Sequence, residues 1–249
     1  MRIRVINPNT TESMTALIEV TARAVIGPGA TLDAVTSAMG PVSIESHYDE
    51  AFAVPGLLAA IAQGERDGVD GYVVACFGDP GLDAARELAA GPVIGIAEAA
   101  MHAATLVGRG FSVVTTLSRT AGRAHDLAAR YVAVGACRGV HACEIPVLDL
   151  ESHPDVLKRV VAVSRAALDR DGSDVIVLGC AGMADLCAAV TAELGVPVID
   201  GVTAATVFVQ SLITLGLATS KRGEYAAPPA KAYTGELSEF GRPLPGSPG

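Results

Sequence analysis

Two of the five cysteines stand where a thiol can do chemistry. Cys76 closes the apolar run Tyr72-Val73-Val74-Ala75 and leads into Phe77-Gly78-Asp79-Pro80-Gly81. Asp79 suits a helix N-cap and Pro80 the first helical position, so a sharp turn into a helix is expected there. Cys180 closes Ile176-Val177-Leu178-Gly179 and leads into Ala181-Gly182, which again opens a helical pattern. A sulphur at such a turn lies near unpaired backbone N–H groups and the positive end of a helix. Both favour the thiolate, the reactive form, and a helix terminus can draw a thiol from about 8.5 toward about 7. A lone cysteine after a strand is commonly a packing residue. A pair at matching ends of a repeated unit points to function.

The other three cysteines read as structural. Met183, Leu186, Cys187, Val190 and Leu194 form one helical stripe, which makes Cys187 a core residue. Cys143 falls within a strand around Val140–Ile145, and Cys137 in the Gly-containing loop before it. His141-Ala142-Cys143 has no second pair at ligand spacing, so no metal site is expected.

For Cys76 and Cys180 to act together, the elements around them must meet. Hydrophobic periodicity gives eight short apolar runs alternating with eight helical patterns. In the first half, strands fall at 2–6, 31–36, 71–75 and 92–96, with helices at about 11–26, 48–66, 80–90 and 97–107. In the second, strands fall at 111–115, 140–145, 174–179 and 196–199, with helices at about 119–133, 154–170, 182–194 and 202–216. Strict alternation implies parallel sheets covered by helices on both faces. The halves also echo each other in residues: Tyr72–Gly78 answers Ile176–Gly182, Gly91-Pro92-Val93-Ile94-Gly95 answers Val196-Pro197-Val198-Ile199-Asp200, and Arg4–Asn7 answers Ser112–Thr115.

The expected fold is therefore α/β, with two similar lobes, each a four-stranded parallel sheet flanked by helices. The lobes would be related by a pseudo-twofold axis, with the active site in the cleft between them, because ligands sit beyond the carboxyl ends of parallel strands. Residues 1–97 with about 202–225 would form the first lobe and 98–201 the second. The tail 226–249, with Pro228-Pro229 and Arg242-Pro243-Leu244-Pro245-Gly246, is expected to be irregular.

Several chemistries lack their residues. Only Lys158, Lys221 and Lys231 could form a Schiff base, and none follows a strand end. No dinucleotide fingerprint, phosphate loop or nucleophile elbow occurs, so no cofactor is expected. Cys–His catalysis stays open, since His47, His102, His125, His141 and His153 are present, although each sits in or beside a regular element. A net charge of −9 without a basic stripe argues against nucleic acid. The apolar runs are too short or too broken to span a bilayer. With no leading hydrophobic segment and no disulfide spacing, the expectation is a cytoplasmic chain with reduced thiols.

The sequence resembles the hydantoin and allantoin racemases of the aspartate/glutamate racemase superfamily. The resemblance rests on Ile6-Asn7-Pro8-Asn9-Thr10, Gly40-Pro41-Val42-Ser43-Ile44-Glu45, Ala75–Gly81, Val114-Thr115-Thr116 and Leu178–Met183, in that order up to about Tyr225. It implies a cofactor-independent isomerase in which Cys76 and Cys180 work as two bases on a small cyclic ureide or amide, within a homo-oligomer. Asn9, Ser43, Thr115 and Thr116 lie after strands where polar side chains would fix the ring. Phe77, Gly78, Ala181 and Gly182 would bring backbone close to the substrate and offer N–H donors. Asp79 reads as a helix cap, and Glu45 and His47 are weaker site candidates. Two alternatives remain at this stage. One is a maleate-type isomerase or a decarboxylase of the same superfamily. The other is a non-catalytic two-lobed protein that binds a small molecule.

Overall fold

The computed structural model describes residues 1–241; the Arg242–Gly246 part of the tail lies outside the described residues. Among those residues, eight strands and eight α-helices alternate. The first half runs β1 (Arg2–Asn7), α1 (Glu12–Arg23), β2 (Thr31–Thr36), α2 (His47–Arg66), β3 (Gly71–Val74), α3 (Leu82–Leu88), β4 (Val93–Gly95) and α4 (Ile96–Val107). The second runs β5 (Phe111–Thr115), α5 (Ala121–Tyr131), β6 (Cys137–Ala142), α6 (Val156–Asp171), β7 (Val175–Leu178), α7 (Cys187–Leu194), β8 (Val198–Asp200) and α8 (Gly201–Thr214). The strands form two four-stranded parallel sheets of the same order, β2-β1-β3-β4 and β6-β5-β7-β8.

Period-2 alternation in the central strands builds three cores. Ile3, Val5, Val73, Phe111, Val113, Val175 and Val177 face one shared cluster that also takes side chains from α1, α4, α5 and α8. Their alternates pack outward. Ile6, Tyr72 and Val74 meet α2 and α3, while Val114, Ile176 and Leu178 meet the side chains of α6 and α7. Covering both faces explains why β3, β5 and β7 are buried along their whole lengths. Within the shared core α4 packs along α8. The helices cross over, α4 lying on β5, β7 and β8, and α8 on β1, β3 and β4. The chain after α8 returns to α3, where Lys221 Nζ donates to Arg86 O and Tyr225 Oη donates to Asp83.

Three elements depart from the sequence expectation where the backbone is irregular. Strand β6 starts at Cys137, in what read as a loop, because a bulge at Arg138 shifts the register and hides the alternation. It also ends at Ala142, since Glu144 adopts a left-handed φ of 52°, so Cys143 lies just beyond the strand. Helix α3 begins at Leu82 rather than Pro80, because Asp79 (φ 44°) and Gly81 (φ 64°) are both left-handed. After Cys180 the chain makes a 3-10 segment, Ala181–Leu186, before α7 begins at Cys187.

Candidate active site

The central strands of both sheets, β1, β3, β5 and β7, end at one cavity of about 70 Å³. This is the switch point of each parallel sheet, where loops diverge and leave room for a ligand. Asn9 reaches the cavity from the turn after β1, and Cys76, Phe77 and Gly78 from the turn after β3. Thr115 and Thr116 reach it from the end of β5, and Gly179, Cys180 and Ala181 from the end of β7.

Both cysteine turns have the same construction. Asp79 N donates to Cys76 O at 2.9 Å, and Met183 N donates to Cys180 O at 3.1 Å. A backbone N–H favours the thiolate at each sulphur, that of Gly78 at Cys76 and that of Gly182 at Cys180. Both residues keep some accessible surface and line the same cavity, while protein encloses them otherwise.

The expectation of lowered thiol pKa values is not met. Burial pushes both thiols up, Cys180 to about 12, against the opposing pull of the Gly78 and Gly182 N–H groups. Nearby charge adds to the rise, from Glu50, Cys180 and Asp79 at Cys76, and from Cys143 and Glu45 at Cys180. The cause is enclosure by protein. Cys76 lies six residues before α3, and although Cys180 is the N-cap of the 3-10 segment that runs into α7, that helix start does not offset burial.

Polar residues around the sulphurs are held by local networks. Asn9 Oδ1 accepts from Asn7 Nδ2 (2.8 Å) and Thr11 N (2.9 Å), which fixes the amide. Its Nδ2 meets Met14 Sδ at 3.2 Å, a weak acceptor that leaves donor capacity for a ligand. Thr115 Oγ1 donates to Gly179 O at 3.3 Å and lies 3.2 Å from Thr120 Oγ1. Ser43 does not line the cavity; Ile44 and Ser46 do so instead. Gly182 stays behind Cys180 rather than on the wall. Of the weaker candidates, His47 reaches the cavity. Glu45 does not, and its Oε1 accepts from Val147 N at 2.7 Å.

Sequence reasoning missed Glu50, Arg119, Thr120 and Arg123, which complete the wall. Arg123, from α5, crosses between the halves. Its Nε and Nη2 donate to Gly78 O at 3.0 and 2.7 Å, and its Nε lies 3.5 Å from Glu50 Oε2. Glu50 packs so closely on Gly78 that a Cβ there would lie 2.4 Å from Glu50 Oε1. Burial pushes the Glu50 carboxyl up, partly offset by Arg123 and His47. An early-helix charged residue gives no signal in a sequence, because most such residues face solvent. The one available hint was that Glu50 and Arg123 begin helices following strand ends on the ligand side.

Comparison with known proteins fits this geometry. Residues 3–209 match the Asp/Glu/Hydantoin racemase family. A hydantoin racemase from Rhizobium meliloti is 49% identical over 236 residues, covering 94% of this chain and 98% of the relative. A hydantoin racemase from Pseudomonas sp. (strain NS671) is 43% identical, covering 97% and 98%. Among solved structures, an allantoin racemase from Klebsiella pneumoniae superposes with a TM-score of 0.94 at 52% identity, covering 96% of this chain and 98% of that one.

Proposed function

Because the chain belongs to the Asp/Glu/Hydantoin racemase family, we propose that it is a cofactor-independent isomerase that inverts the C5 stereocentre of 5-substituted hydantoins or allantoin. The observation that carries the reading is the delivery of two cysteines, from matching turns of the two halves, to one cavity. On this reading residues 1–97 with about 202–225 form one lobe and 98–201 the other, the working unit is a homo-oligomer, and its compartment is the cytoplasm.

Inverting a C–H centre requires proton removal on one face and proton delivery on the other. One thiolate takes the C5 proton, and the C–H electron pair moves onto the neighbouring carbonyl oxygen as an enolate. The opposite thiol then returns a proton to the other face, and the two sulphurs have exchanged protonation states. Oriented backbone N–H donors at the developing oxyanion are worth about 3–4 kcal/mol in comparable sites. Phe77 and Ala181 supply N–H groups beside the two sulphurs, while Asn9, Thr115 and Thr116 supply polar atoms to hold the ring. The raised thiol pKa values make each thiolate a minor species but a stronger base, which suits a weak carbon acid.

The test follows deuterium entry at C5 in heavy water from each enantiomer, with the parent, Cys76→Ser and Cys180→Ser. Neither variant should racemise. A variant that keeps one working base should exchange deuterium with retention on one enantiomer only. Full racemisation by either variant would falsify the two-thiol reading. Loss of carbon dioxide from a malonate-type acid would redirect it to a decarboxylase.

A further inference from the structure

The two halves cap their last helices differently. In the second half, Asp200 is the N-cap of α8, and its carboxylate accepts from Val202 N (2.8 Å) and Thr203 N (3.0 Å). At the matching position of the first half stands Gly95, which has no side chain to cap α4. The carboxylate comes instead from Asp79, three residues after Cys76. Its Oδ1 accepts from Ala97 N (3.1 Å) and its Oδ2 from Glu98 N (2.9 Å), the same two helical positions that Asp200 serves in α8. Tyr131 Oη, from α5, donates a third bond at 3.0 Å. A Cβ at Gly95 would lie 2.2 Å from Asp79 Cγ, so the glycine makes room for the transferred carboxylate.

The transfer has a backbone cost. Asp79 is 3% exposed and left-handed, with φ 44°, a conformation that persists in a non-glycine residue only when its surroundings hold it. Its own N–H closes the Cys76 turn. The matching residue after Cys180 is Met183, a fully buried apolar side chain with no such tether. We propose that Asp79 is the positioning residue of Cys76: by capping α4 in place of Gly95 it fastens the Cys76 turn to the helix that crosses onto the second sheet. The two sulphurs then differ in kind. Cys76 is registered to the second half through α4, Tyr131 and the Arg123 bonds to Gly78 O, whereas among the described residues no side-chain hydrogen bond from the first half reaches the Cys180 turn.

A cap swap separates this role from simple helix stabilisation. In Asp79→Gly combined with Gly95→Asp, α4 receives its cap in the manner of α8, the left-handed position is filled by glycine, and the steric conflict disappears. Thermal stability should return close to the parent, while Asp79→Gly alone should lose it. The decisive readout is the rate of iodoacetamide alkylation of Cys76 relative to Cys180, followed by peptide mass spectrometry, which does not depend on the proposed reaction. The swap should change this ratio several-fold. Resting on the reaction proposed above, deuterium entry at C5 should fall roughly 10- to 100-fold from one enantiomer and little from the other. Asp79→Asn keeps an accepting oxygen for α4 but no charge, so a ratio shifted there as far as in the swap would assign the effect to charge and overturn the proposal. A parental alkylation ratio in a stable variant, or a change shared equally by both sulphurs, overturns the proposal. A shifted ratio in a chain that racemises no hydantoin would leave it standing and remove the function instead.

Discussion

Protonation at buried groups dominates the residue scale. Burial raises the Asp79 carboxyl to about 7, the Glu98 and Ala97 N–H groups and the Tyr131 hydroxyl pull it down, and the Glu98 charge adds to the rise. Glu98 is itself paired with Arg86, and Cys76 is the other titratable group on the same turn. In the unfolded chain an aspartate ionises near its ordinary value of 3.8. The folded chain therefore holds the Asp79 proton more tightly than the unfolded chain does. Below the unfolded value this group costs folding nothing. Stability falls as the pH climbs toward the folded value, and above it the loss is complete. Asp79→Asn removes the ionisation. The urea-unfolding free energy of the variant relative to the parent should rise between about pH 4 and 7 and level off above. A difference that stays flat across that range would show that Asp79 does not titrate there. The thiols illustrate the same competition. One N–H group per sulphur does not outweigh enclosure by protein, so charge at Cys76 or Cys180 is costly in the free site.

At the level of elements, helix packing sets what the site can be. α2 begins with Ser46, whose side chain accepts from Asp49 N at 3.1 Å, and this start places Ser46, His47 and Glu50 on the cavity. Further along, Gly56 lets α2 approach the loop after β2. An added Cβ would lie 2.0 Å from Ser37 Oγ and 2.3 Å from Met39 O. Helix propensity alone favours Gly56→Ala by about 1 kcal/mol, whereas overpacking against backbone costs about 1–3 kcal/mol. The contact with a carbonyl, which cannot rotate away, decides the sign. Gly56→Ala should destabilise by about 1–2 kcal/mol in urea unfolding, and a stabilised variant would refute the close approach. Elements with strong periodicity agreed with their sequence reading within a few residues, as α1 does with Met14, Ile18 and Ala22 on its buried face. The departures at β6, α3 and the segment after Cys180 all sit where left-handed residues, a bulge or a 3-10 turn interrupt the period.

Across the whole molecule, the two halves are joined by a shared core and by polar contacts at the cavity. Arg123 grips Gly78 O with two donors, Glu45 accepts from Val147 N, and Ser13 Oγ donates to Glu151. Arg123 is partly exposed, so its removal should cost little stability but free the Cys76 turn. Arg123→Ala should lower kcat/KM by about 10- to 100-fold, the equivalent of about 1.5–3 kcal/mol for charged hydrogen bonds, with Tm nearly unchanged. Arg123→Lys should recover only part of this, because an ammonium lacks the planar fork. Equal kinetics for the alanine variant and the parent would contradict the clamp. The sequence by itself determined the alternation of strands and helices, the duplication, and the two cysteines at matching strand ends. Each of these is written in a local period or a repeated word. Only the tertiary structure decided which carboxylate caps α4, that Arg123 and Glu50 reach the cavity, that Ser43 and Gly182 do not line it, and that the thiols are raised rather than lowered. Those outcomes depend on distances between residues remote in the chain and on how much protein surrounds a group, and no local pattern encodes either.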